Sequence, residues 1–127
     1  MNIQRAEAEK EPATAPRYLP LETISVRLTP PPGHLRGPVF GIISNLSESG
    51  ACLITNRMLP AEIRVAVEIE TRLWKAPVRV SARVIWCAER LESVKEIVGY
   101  LTGVYFEPES VPEMRQLLMS GLFQAIP

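Results

Sequence analysis

The chain has 127 residues, 46% of them hydrophobic, and its 14 basic and 14 acidic side chains leave a formal net charge of zero. A chain of this length makes one domain whose core buries roughly two-thirds of the unfolded surface, without covalent staples. The charge balance argues against a duplex-DNA binder, which carries a basic face and a high pI, but permits a small anionic ligand held by a few local arginines.

Residues 1–16 are polar and end in Glu11-Pro12-Ala13-Thr14-Ala15-Pro16. Such a composition has no face to pack and predicts a flexible arm, with residues 17–127 forming the domain. From Leu21 the pattern has period two: Ile24, Val26 and Leu28 alternate with Thr23, Ser25 and Arg27, as in a half-buried strand. Thr29-Pro30-Pro31-Pro32-Gly33 stops it, because proline cannot join a ladder. Further strands are predicted over 38–46 and 50–56, separated by the polar step Asn45-Leu46-Ser47-Glu48-Ser49-Gly50.

The clearest alternation is Ile63, Val65, Val67 and Ile69 against Arg64, Ala66, Glu68 and Glu70. A hairpin loop, Thr71–Pro77, leads to a matching strand with Val78, Val80, Ala82, Val84 and Trp86 on one face. Trp86 therefore reads as core, and Arg79 and Arg83 as a solvated face that pairs with Glu68 and Glu70. Residues 88–96 read as a loop or short helical turn, and 97–107 as the sixth strand, with Gly99 and Gly103 as points of bulge or close approach. After Pro108 the period becomes 3.6, placing Val111, Met114, Leu117, Leu118, Gly121 and Leu122 on one face of a helix over about 109–123. Ser110, Pro112 and Glu113 supply its start signals. The expected fold is mainly β: a small six-stranded antiparallel β-barrel with a C-terminal α-helix, or else a flatter sheet with the helix on one face.

Catalytic signals are few. His34 is the single histidine, in a Pro/Gly loop with no nucleophile motif around it, so no enzyme is expected. The two cysteines, Cys52 and Cys87, lie in apolar runs and read as buried thiols. Together with one histidine they cannot fill a four-ligand zinc site. Residues 1–10 hold no apolar segment of the signal-peptide kind, and no run approaches the ~20 residues of a membrane span. A cytoplasmic location without membrane insertion is expected.

Binding signals are better. Arg17 stands where the arm meets the first strands, and its planar fork suits phosphate or a guanine edge. The step after Ile43 offers short polar side chains and a glycine. Here the sequence resembles the PilZ domains, bacterial receptors for cyclic di-GMP. Asn45, Ser47 and Gly50 match the family's [D/N]-x-S-x-x-G motif. Ala82-Arg83-Val84-Ile85-Trp86 resembles its strand ending in V-x-W, and Thr102-Gly103-Val104-Tyr105-Phe106 resembles its G-h-x-F strand. Pro16-Arg17 fits the second arginine of the family's R-x-x-x-R linker motif, but Ala13 stands where the first belongs.

The resemblance implies ligand-binding roles for Arg17, Asn45, Ser47 and Gly50, cyclic di-GMP as ligand, no cofactor or metal, and an effector protein as partner. Binding would order the arm over the barrel. Ala13 removes one charge-assisted contact, which costs ~1.5–3 kcal/mol, or about ten- to a hundredfold in affinity. Arg5 or Lys10 on the arm can compensate in part. The alternative is a degenerate PilZ domain that binds a protein and no nucleotide, with the 45–50 step kept only as a turn.

Overall fold

The computed structural model describes residues 16–33, 37–93 and 96–127. Ala13, Lys10, Arg5 and the rest of the arm before Pro16 lie outside the described residues, as does His34. The described chain forms β1 (Tyr18–Pro20), β2 (Ser25–Thr29), β3 (Val39–Leu46), β4 (Gly50–Thr55), β5 (Arg64–Glu70), β6 (Val78–Ser93), β7 (Glu96–Phe106), a 3-10 turn (Pro108–Ser110), α1 (Val111–Leu118) and β8 (Phe123–Ala125).

The strands run in the order β2-β5-β6-β7-β4-β3-β1-β8, and β2 also pairs with β3. That second pairing returns the sheet to its start, so β2, β5, β6, β7, β4 and β3 form a closed antiparallel barrel of six strands. Closure removes the exposed edges that an open sheet of this size would carry. The short strands β1 and β8 lie outside it, joined to β3 through Tyr18 opposite Leu46.

The alternation read from the sequence sets the inside of the barrel. Ile24, Val26 and Leu28 are buried, as are Ile63, Val65, Val67 and Ile69. Met114, Leu117, Leu118 and Leu122 belong to the same core cluster, so the helix stripe is laid on the barrel. Glu68 lies opposite Arg79 but forms its ion pair with Arg27 of β2, while Arg83 pairs with Glu62 at 3.0 Å.

Four features depart from the expected elements. Residues 88–93 and 96 are strand, not loop, because β6 and β7 continue as a two-stranded ribbon, with Glu89 opposite Tyr100 and Leu91 opposite Ile97. Ala88, Glu89 and Leu91 are exposed, so this part of β6 shows no run of alternating buried residues to mark it in the sequence. The helix stops at Leu118 instead of running to about 123, since Gly121 takes a φ of 92° and turns the chain into β8. Ser110 is buried but makes no side-chain cap hydrogen bond. Finally, the register slips between Val84 and Trp86. Val84 keeps its place in the core, Ile85 is the extra residue and is buried outside the core cluster, and Trp86 turns outward, where it is 40% exposed.

Candidate functional site

The step between β3 and β4 is a closed turn. The Ser47 N–H donates to the Gly50 carbonyl at 2.8 Å. The Ser47 hydroxyl oxygen accepts the Gly50 N–H at 3.1 Å and the Ser49 N–H at 3.3 Å. Ser47 is fully buried, so its hydroxyl serves the turn's own backbone. The turn is fixed to β7 by the Phe106 N–H donating to the Ser49 carbonyl at 2.8 Å. It is also fixed to α1 by Arg115 Nε donating to Glu48 Oε2 at 2.8 Å. That bond holds the Glu48 carboxyl below the usual carboxylate range and the Arg115 guanidinium above its ordinary value. Gly50 opens β4 opposite Tyr105 and is not among the glycines of positive φ.

Arg17 reaches this turn from the other end of the sequence. The Ile126 N–H donates to the Arg17 carbonyl at 2.9 Å, and β8 holds Tyr18, Leu19 and Pro20 in register. So held, Arg17 places Nη1 3.3 Å from Asn45 Oδ1. Its charge also reaches Cys52: burial pushes the Cys52 thiol up, and Arg17 opposes that rise.

Asn45 starts a row that crosses four strands. Asn45 lies opposite Cys52, Cys52 opposite Gly103, and Gly103 opposite Trp86. Directly opposed residues share a face, here the outside of the barrel. A Cβ at Gly103 would stand 2.4 Å from Trp86 Cε2 and Nε1, so the indole lies directly on the glycine backbone. The adjacent row is Gly50, Tyr105 and Arg83. The result is a surface with a cation and an amide at one end and an aromatic ring at the other. Such a surface suits a flat, anionic, hydrogen-bonding ligand. Among the described residues no group of histidine, cysteine and carboxylate side chains is arranged to hold a metal, and no helix is long and apolar enough to cross a membrane.

Residues 13–124 match the family model of the PilZ domain. The chain belongs to the PilZ domain family. Its fold is similar to a solved structure described as the PilZ domain with c-di-GMP of YcgR from Escherichia coli. The TM-score is 0.66, the identity 17%, and the match covers 87% of this chain and 91% of that one. No curated protein matches the chain.

In this PilZ domain, Arg17 and Asn45 are in direct contact, while Ser47 and Gly50 form the turn beside them. Ser47 does not present its side chain at the surface. Cys52 is not the buried thiol its apolar run predicts: it is half-buried on the outer face beside Asn45. Cys87 is also half-buried, its sulfur 3.2 Å from Thr102 Oγ1. Trp86 was missed as a surface residue, since one bulge reverses the face that strict alternation assigns.

Proposed function

We propose that this chain is a receptor domain for cyclic di-GMP, which it holds on the outer barrel face beside the Ser47–Gly50 turn. The observation that carries the reading is Arg17 seated on Asn45 at 3.3 Å. The site's cationic fork is thus positioned before a ligand arrives, which lowers the ordering cost of binding. Arg17 takes phosphate or a guanine edge, Asn45 offers its amide, and Trp86 on Gly103 offers a ring face. The solved complex of the YcgR PilZ domain with c-di-GMP supports the choice of ligand. No residue is given a catalytic role, and the proposed location is the cytoplasm.

Residues 1–16 close over the bound ligand, and the ordered arm presents a new surface to an effector protein. The ligand drives this step because it makes contacts in the closed state that the open state lacks.

A second reading has its own observation. Ser47 spends its hydroxyl on the turn and is fully buried, and Ala13 replaces one linker arginine. A PilZ domain that binds a protein partner without nucleotide would keep this turn for structure alone.

Calorimetric titration with cyclic di-GMP separates the two. The receptor reading expects saturable binding at or below the order of tens of micromolar, weakened about ten- to a hundredfold in Arg17→Ala. Absence of binding at that concentration rejects it in favour of the protein-binding reading.

A further inference from the structure

The C-terminal segment touches both halves of the site. From β8 onward, the Ile126 N–H holds the Arg17 carbonyl at 2.9 Å, and the Leu21 N–H donates to the Leu122 carbonyl at 2.8 Å. These bonds bracket the three-residue register of β1 on β8. The pairing of β1 with β3 is confined to Tyr18 opposite Leu46. The backbone beside Arg17 is therefore laddered to β8 along its length and to the barrel at one position. From α1, Arg115 holds Glu48, which lies inside the Asn45–Gly50 motif. A groove of about 140 Å³ lies at the Arg115–Glu48 contact, lined also by Pro16, Tyr18, Leu118 and Met119. Met119 is 87% exposed at its rim.

We propose that Ile126 and Arg115 are positioning residues for the ligand site. They set the affinity through Arg17 and the Glu48 turn without touching the ligand. This rests on the cyclic di-GMP reading. A site held by one segment has a thermodynamic consequence. If ordering β8 and α1 favours the ligand, the ligand orders β8 and α1 to the same extent. The C-terminal segment then reports site occupancy.

The test compares Ile126→Pro, which removes the N–H, with Ile126→Ala, which keeps it and loses only an exposed side chain. It adds Arg115→Ala and Arg115→Lys, which need no buried group to change. Each is titrated with cyclic di-GMP, and amide exchange at Leu21 and Ile126 of the wild-type chain is followed with and without ligand. The expected result is about tenfold weaker binding for Ile126→Pro than for Ile126→Ala. A further two- to threefold loss is expected for Arg115→Ala, restored in part by lysine, as suits an exposed ion pair. Slower exchange at Leu21 and Ile126 should accompany saturation. Unchanged affinities in Ile126→Pro and Arg115→Ala, with unchanged exchange, overturn the proposal while leaving the receptor reading intact. Absence of binding by the wild-type chain overturns both.

Discussion

Arg17 Nη1 donates to Asn45 Oδ1 at 3.3 Å, joining two residues 28 positions apart. One stands just before β1 and the other in a barrel strand. The contact makes the proposed site a joint between two pieces of backbone, so each half should depend on the other. Asn45→Ala is expected to weaken cyclic di-GMP binding and also to loosen Arg17, whereas Arg17→Lys keeps the charge and loses the planar fork. Calorimetry should rank affinity as wild type, then Arg17→Lys, then Arg17→Ala.

Ser47→Ala tests the turn apart from the ligand. It takes the acceptor from the Gly50 and Ser49 N–H groups in a buried place. The expected cost is about 1–3 kcal/mol, read as a Tm lowered by about 4–10 °C in thermal unfolding. A direct ligand role alone would weaken binding with no change in Tm.

Gly103→Ala forces Trp86 off its seat, because the new methyl would lie 2.4 Å from the indole. The ring is partly exposed and can swing outward, so the fold should survive with a loss of about 1–3 kcal/mol. The tryptophan emission should shift to longer wavelength, and cyclic di-GMP affinity should fall with it.

Cys52 shares the outer row with Asn45, while Cys87 is engaged with Thr102 on β7. Bound cyclic di-GMP should slow alkylation of Cys52 several-fold and leave Cys87 unaffected. Peptide mapping after limited alkylation reads both thiols in one sample. Equal rates at Cys52 with and without saturating ligand would place the ligand elsewhere.

Two carboxylates link stability to acid. The hydrogen bond from Arg27, with its charge, holds Glu68 below the usual carboxylate range, and the one from Arg115 does the same for Glu48. A lowered folded-state pKa stabilises the fold above the unfolded value, and that share is lost as pH falls through the folded value. Between pH 7 and pH 3 the wild type should therefore lose more Tm than Glu68→Gln. Both groups lie at the surface, so the difference should be small and shrink in high salt.

Local pattern made much of the barrel legible. The period-two runs Ile24–Leu28 and Ile63–Ile69 name their buried residues because a strand buries alternate side chains wherever it is placed. The stripe through Met114, Leu117 and Leu118 identifies the helix for the same kind of reason. The Asn45–Gly50 turn is legible because its polar residues and glycine interrupt two apolar runs. The ribbon over 88–93 and the outward turn of Trp86 were not. The first exposes Ala88, Glu89 and Leu91 and so shows no alternation there, and the second depends on one extra residue in β6 whose place is set by β7.

The sequence by itself determined the period-two strands such as Ile24–Leu28 and Ile63–Ile69 with their buried faces, and its motif resemblance grouped Arg17, Asn45, Ser47 and Gly50 as the expected site. Only the tertiary structure decided that β2 pairs with both β3 and β5 to close the barrel. It alone decided that β8 fixes the backbone of Arg17, and that Trp86 lies on Gly103 outside the core. The physical reason is one of range. Side-chain alternation is written within a few neighbouring residues, while a hydrogen bond from Ile126 to Arg17 joins distant points on the chain. Three-residue strands such as β1 and β8 are too short to show a period, and they exist because each supplies the other's backbone partners.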